Sequence, residues 1–293
     1  MKTASLLKSE HLKGYRIVLI ALVALVAALL ASCTEDDLNL SSDDSQNVEN
    51  EAVSDVYFDE VDDLSSAAML GIGSSGGRSE GLDDDRLKVT CAEVTFDGND
   101  EGGVIVIDFG DGCTDLRGNV RRGKIIITYS GRRFLPGSSV VTELEEYYIN
   151  DVKIEGTRTV TNVSESSESA PKFHIVVTDG KVTWPDGTFA LREADRTREW
   201  IRAANPLDDQ HVVDGTASGT SRKGHEYTVE ITKPLVYKRR CAVENKVFIA
   251  VEGTKKLVTD GKEIIIDYGN GECDNVVTIT INGRSKEVSV KRD

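Results

Sequence analysis

Polar and apolar positions follow two different periods along this chain, and each predicts a different kind of structure. From Leu87 onward, short β-branched runs alternate with Gly, Asp and Asn turns. Residues 104–107, 124–129, 157–161, 173–178, 227–232, 246–251, 263–266 and 277–281 are of this kind, and each reads as a strand. The pairs Asp179-Gly180, Asp186-Gly187, Asp260-Gly261 and Asn282-Gly283 sit where hairpins need positive φ. About a dozen strands at this spacing predict an all-β body, an antiparallel sandwich or two stacked sheets. Residues 191–204, rich in Arg, Glu and Ala, fit a helix or a strand. A strand is favoured, because Trp184-Pro185-Asp186-Gly187 just upstream would close a hairpin. Before the body the period is helical instead. Val53, Tyr57, Val61, Leu64 and Ala68 recur at three- and four-residue intervals among acids, predicting a short amphipathic helix over 51–70 that could dock on the body, bind a partner or form only weakly, docking being the commonest outcome for such a stripe.

The body carries an internal strand–turn–strand repeat. Ile107-Asp108-Phe109-Gly110-Asp111-Gly112-Cys113-Thr114-Asp115 matches Ile266-Asp267-Tyr268-Gly269-Asn270-Gly271-Glu272-Cys273-Asp274, with the cysteine displaced by one position. Another cysteine, Cys91 or Cys241, precedes each copy. Four cysteines allow three pairings; Cys91–Cys113 and Cys241–Cys273 are favoured, since each pair brackets one copy. A zinc site is disfavoured because no CxxC spacing exists.

The N-terminal segment is patterned differently again. Lys2, Lys8, Lys13 and Arg16 precede fifteen residues, 17–31, with no charged or polar side chain. This is the layout of a secretory signal peptide over 1–32, and it is short for a spanning helix of about 20 residues. Charge then divides the rest. Residues 34–86 hold sixteen Asp and Glu against two Arg, a net of −14, whereas 87–293 carry only −4 of the chain's −15. The acidity therefore belongs to a disordered tether, 33–86, and not to the all-β body, 87–293. Two subdomains, about 87–165 and 166–293, are a second way to divide the body. Such a balance excludes nucleic acid as a partner. The small basic clusters, Arg117, Arg121, Arg122 and Lys124, then Lys238, Arg239 and Arg240, read as solvated loops and strand ends.

Leu30-Ala31-Ser32-Cys33 resembles the lipobox of bacterial lipoproteins. That resemblance implies a diacylated Cys33 at a new N-terminus and membrane attachment through its lipid. Thr34-Glu35-Asp36-Asp37 is similar to the acidic export cluster of Bacteroidota-type lipoproteins, which implies an outer-membrane protein exposed on the cell surface. Within the body, Arg196-Thr197-Arg198-Glu199-Trp200, the stretch 214–220 and the closing 266–283 resemble a recurrent group of uncharacterised lipoproteins of that type. The resemblance implies an all-β fold and no particular activity.

Candidate chemistry is sparse. Gly71-Ile72-Gly73-Ser74-Ser75-Gly76 has the spacing of a dinucleotide fingerprint but lacks the strand before it and the helix after it. It reads as a Gly/Ser linker, and no cofactor is expected. Asp108, Asp111, Asp115, Asp267, Asn270 and Asp274 read as turn caps and not as calcium ligands, so no metal site is expected. His174, His211 and His225 accompany no nucleophile elbow. Glu145, Glu146, Asp208 and Asp209 are the acids from which a glycosidase pair would have to be drawn. The expected role is binding without catalysis, to a glycan or a protein, through exposed Trp184, Trp200, Tyr147 or Tyr148. Envelope assembly is the alternative, and a glycan-acting hydrolase ranks behind both.

Overall fold

The computed structural model describes residues 42–70, 79–82, 89–115 and 118–290. The expected leader, Cys33, the acids after it and the expected 71–76 linker lie outside the described residues. Among the described residues an α-helix, α1 (Ser42–Leu70), is followed by fifteen strands. They are β1 (Ser79–Leu82), β2 (Val89–Asn99), β3 (Gly102–Asp108), β4 (Cys113–Thr114), β5 (Val120–Ser130), β6 (Ser139–Ile149), β7 (Val152–Asn162) and β8 (Lys172–Thr183). Then come β9 (Phe189–Ile201), β10 (Gln210–Thr220), β11 (Glu226–Lys238), β12 (Glu252–Thr259), β13 (Lys262–Asn270), β14 (Val276–Ile281) and β15 (Arg284–Ser289).

The body is all-β and antiparallel, as its alternation predicts. Its strands form one hydrogen-bonded path in chain order from β1 to β15, with only β4 off the path beside β5. The expected two sheets are thus a single one, in which each strand on the path pairs antiparallel with the next. The sheet does not close on itself. The ambiguous 191–204 segment lies largely in β9, hydrogen-bonded to β8 and β10. One expected strand is absent. Residues 246–251 follow a π-helical turn, Cys241–Asn245, and Lys246 takes a left-handed φ of 59°. Val247 and Val251 are buried against Cys241 by this local winding, not by strand alternation.

Both disulfides join the favoured partners, Cys91 to Cys113 and Cys241 to Cys273. The repeat strands they accompany, β3 and β13, each lie third from an edge of the sheet.

Helix α1 is longer than the apolar spacing predicts, since no Gly or Pro interrupts residues 42–70. Val61, Leu64 and Ala68 of the expected stripe are buried, together with Phe58. It also makes ionic contacts with the sheet. Glu51 meets Lys255 on β12 at 2.5 Å, and Glu60 meets Arg121 on β5. In a flat sheet those strands, seven apart along the path, would stand about 34 Å from one another. Nine helical residues span only about 13.5 Å. The sheet must therefore curve around the helix. Register shifts in seven of the eight strand pairs between β5 and β13 supply that curvature, since bulges bend strands. At one bulge Gly156 adopts φ 123°, facing Gly180 across the β7–β8 pair. A Cβ on Gly180 would stand 2.9 Å from Phe58 Cζ, so the helix needs glycine there.

The helix carries nine acids and no base. Asp55 accepts from both Nη atoms of Arg196 at 2.9 and 3.0 Å and also pairs with Arg192. Asp62 bridges Arg158 at 2.5 Å and Arg198 at 2.7 Å. Arg121 Nη1 donates to the buried Tyr147 hydroxyl at 2.7 Å. Burial alone would raise the Asp55 carboxyl, but Arg192 and Arg196 overcome it and hold that group well below the usual carboxylate range. Arg158 and Arg198 do the same for Asp62. Burial disfavours the Lys255 ammonium, yet Glu51 keeps its pKa above the ordinary value. Buried ion pairs stabilise little relative to apolar packing, but a mispaired one is costly. Their effect here is to set the helix's rotation and translation inside the sheet. A helix expected to dock on a body is in fact the body's core, and Arg121, expected in a solvated cluster, is 1% exposed.

Candidate functional site

Four of the five aspartates of the repeat act as turn caps. Asp108 accepts from the Gly110 amide at 2.8 Å, and Asp267 accepts from the Gly269 amide at 2.9 Å. Asp274 does the same for Val276 at 3.0 Å. Asp115 accepts from the Asn119 amide at 2.9 Å and pairs with Arg121 at 3.2 Å. Two carboxylates on one turn are thereby consumed by backbone and side-chain donors of their own neighbourhood. Among the described residues, no group of three or more His, Cys, Asp or Glu is placed to hold a metal ion.

The other acids and the histidines also have local partners. Glu146 accepts from Lys153 at 2.8 Å, and Asp208 from Arg240 at 2.7 Å. His174 contacts Asp195 at 2.8 Å, and His225 contacts Asp260 at 2.8 Å. A shallow groove of ≈ 600 Å³ crosses the face of β8–β12 that points away from the helix. Its carboxylates are Glu193, Asp195 and Glu230. Glu193 accepts from the Asp179 amide at 2.9 Å, Asp195 is held by His174, and Glu230 pairs with Lys256 at 2.9 Å. Each is tied down separately, without a facing partner across the groove.

The four aromatic candidates fall in different surroundings. Tyr147 is fully buried beneath Arg121, so it is a core residue and not a platform, contrary to its expected role. Strand alternation decides this: Tyr147 and Ile149 point inward, Tyr148 outward. Tyr148 lies under the Arg122 guanidinium, 3.5 Å from the ring centroid. Trp184, in the β8–β9 turn, lies under Arg222 at 4.6 Å. Both are at the end of the sheet where β6 turns into β7 and β8 into β9. Trp200 is at the opposite end, so the structure brings none of the other three to it.

Trp200 instead joins a cluster that its own sequence neighbourhood does not announce. The loop after β5, Gly131-Arg132-Arg133-Phe134-Leu135-Pro136-Gly137, folds over the ends of β7–β9. It is pinned in several places. The Arg133 carbonyl accepts from Asn162 Nδ2 at 3.0 Å and Ser138 Oγ at 3.1 Å. The Gly137 amide donates to the Asn162 carbonyl at 2.8 Å. This places the Phe134 ring, 39% exposed, at 6.2 Å from Phe173 and 5.9 Å from Trp200. His211 lies 5.9 Å from Trp200. The Trp200 indole donates to Asp209 at 3.1 Å, and the other oxygen of that carboxylate accepts from the Ala203 amide at 2.9 Å.

Two guanidinium groups complete the cluster. Arg202 stands 4.5 Å above Trp200 and 5.7 Å from Phe134, and Arg133 stands 5.6 Å from Phe173. Neither makes an ion pair among the described residues. Burial lowers the Arg133 pKa; Asp62 opposes this, while Arg198 and Arg158 reinforce it. Leu135, Val163 and Ile201, each at least 40% exposed, belong to the same end of the sheet. Exposed aromatic and aliphatic groups grouped around unpaired Arg are the composition of a recognition surface. One sequence signal does point here: Phe134-Leu135 is an apolar pair inside a loop bounded by Gly131 and Pro136-Gly137, where polar turn residues are the norm.

Comparison of the chain with protein-family models, curated proteins and solved structures found no match. No helix among the described residues is long and apolar enough to cross a membrane.

Proposed function

We propose that this chain is a lipid-anchored lipoprotein of the outer membrane, displayed on the cell surface, that binds a glycan or protein partner and catalyses no reaction. Its recognition surface is the end of the sheet around Phe134, Trp200 and Arg202. The observation that carries this reading is the pinned loop, which holds an exposed phenyl ring beside a guanidinium stacked on two aromatic rings. Attachment rests on the likeness of residues 30–33 to a lipobox, and display on the acids that follow Cys33.

The test uses intact cells producing the full chain. A bulky protease should remove the body from them, and Cys33→Ala should release the protein from membranes. Purified full chain should bind a surface fraction of those cells, and Phe134→Ala should weaken that binding with unchanged melting. Resistance in intact cells, followed by digestion after permeabilisation, would remove surface display. Assembly into a larger envelope structure through the unpaired edge strand β15 would then lead. That edge is blunted by Arg284, Lys286 and Glu287, which disfavours open-ended pairing.

A further inference from the structure

Resting on that reading of the surface, we infer that the partner is a protein segment that presents carboxylates beside an apolar anchor. Arg202 covers the Trp200 ring at 4.5 Å, so the indole is not a bare platform for a sugar. A neutral sugar would have to displace a cation–π contact before it could stack. The surface offers N–H donors instead, in a planar fork that matches a carboxylate.

Arg133 lies beside the Phe173 ring and Arg202 beside those of Phe134 and Trp200, and neither makes an ion pair with a carboxylate among the described residues. Most cations nearby are already used. Arg132 pairs with Asp100, Arg158 and Arg198 with Asp62, and Arg240 with Asp208. Arg202, which is exposed, is left to meet an anion from outside, whereas Arg133 is partly buried and feels Asp62 of the helix. The loop that carries Arg133 and Phe134 is held at Asn162 and Ser138, so little of it has to be ordered on binding.

Between an acidic glycan and an acidic protein segment, the apolar groups decide. Leu135 is 49% exposed, Val163 44% and Ile201 40%. Aliphatic side chains gain little against a hydroxyl-covered sugar but are complementary to Leu, Ile or Phe of a protein. Aromatic and Arg anchors within an aliphatic surround are also the usual energetic centre of a protein–protein contact.

The experiment is selection of a random-peptide phage library on the full chain purified in detergent, with Arg202→Gln, Arg202→Lys and Phe134→Ala alongside. Arg202 is exposed, and melting of each variant confirms that it is folded. The expected result is enrichment of peptides with Asp or Glu flanking Leu, Ile or Phe. A synthetic peptide of that kind should bind about 30-fold more weakly to Arg202→Gln, with partial recovery in Arg202→Lys. It should also weaken when its acids become amides and when salt is raised. Enriched peptides that lack acids, or that bind Arg202→Gln unchanged, would overturn the inference while leaving the surface reading intact. Polygalacturonate that binds in an Arg202-dependent way and displaces the peptides would assign the surface to acidic glycans and likewise overturn it. Binding indifferent to both Phe134→Ala and Arg202→Gln would overturn the surface reading as well.

Discussion

Replacing Asp62 with Ala is the sharpest test of a helix held by charge inside a sheet. The Asp62 carboxylate is 4% exposed and bridges Arg158, also 4% exposed, and Arg198, 21% exposed. Removing it leaves one guanidinium buried without a counter-ion and another with partial access to water. Two unit charges about 4 Å apart attract by about 4 kcal/mol at an effective dielectric of about 20. Breaking a buried pair from one side costs about 3–5 kcal/mol, because the remaining charge stays desolvated. Arg198 can turn towards solvent, so most of that loss comes from Arg158. Against a typical stability of about 5–15 kcal/mol, the variant should lose a third or more of its margin. The assay is urea denaturation followed by the fluorescence of Trp184, in the turn before β9, and Trp200, in β9. The double variant Asp62→Ala/Arg158→Met should recover much of the loss, since it removes the stranded charge along with its partner. If Asp62→Ala cost under about 1 kcal/mol, or the double variant were no more stable than the single, the charge-pairing account would be wrong.

Acid should act on the same network. The Asp55 and Asp62 carboxyls are depressed in the folded state and return to near 4 on unfolding. Their stabilisation is therefore complete above about pH 4 and is lost as pH falls from there towards the folded values. Each contributes up to about 1.4 kcal/mol per pH unit, so Asp62→Asn should flatten the acid limb of a midpoint-against-pH plot. Gly180→Ala would set a Cβ 2.5 Å from the Arg192 carbonyl and 2.9 Å from Phe58 Cζ, and should cost about 1–3 kcal/mol by denaturation. Finally, a variant lacking residues 42–70 should fail to yield a protease-resistant sheet. Adding a peptide of those residues should restore one, and the same peptide with Asn at 55 and 62 should restore less. A helix-free variant that melts like the full chain would show the sheet to be self-sufficient.

The strands were legible in the residues because β alternation is a local property. Ile105 and Ile107, Ile125 and Ile127, or Ile264 and Ile266 are buried where period two puts them. The disulfides were legible because each cysteine pair brackets one copy of a repeated turn. Where local pattern and local burial part company, as at 246–251, the sequence misleads: a π-helical turn buries the apolar residues there.

What the sequence by itself determined is thus the all-β class, the paired cysteines, the turn-capping acids and the helical character of 51–70. Tertiary structure alone decided the rest. An acidic helix and scattered Arg and Lys residues look like two solvated sets until a curved sheet puts one around the other. Glu51 and Lys255 are 204 positions apart, and Asp62 and Arg158 are 96 apart. The recognition surface is non-local in the same way. Phe134, Phe173 and Trp200 come from three segments, and only the pinned loop and strand pairing in this register set the Phe134 ring about 6 Å from each of the other two. Contacts of that kind depend on curvature and register summed over many strands, which no local pattern of residues encodes.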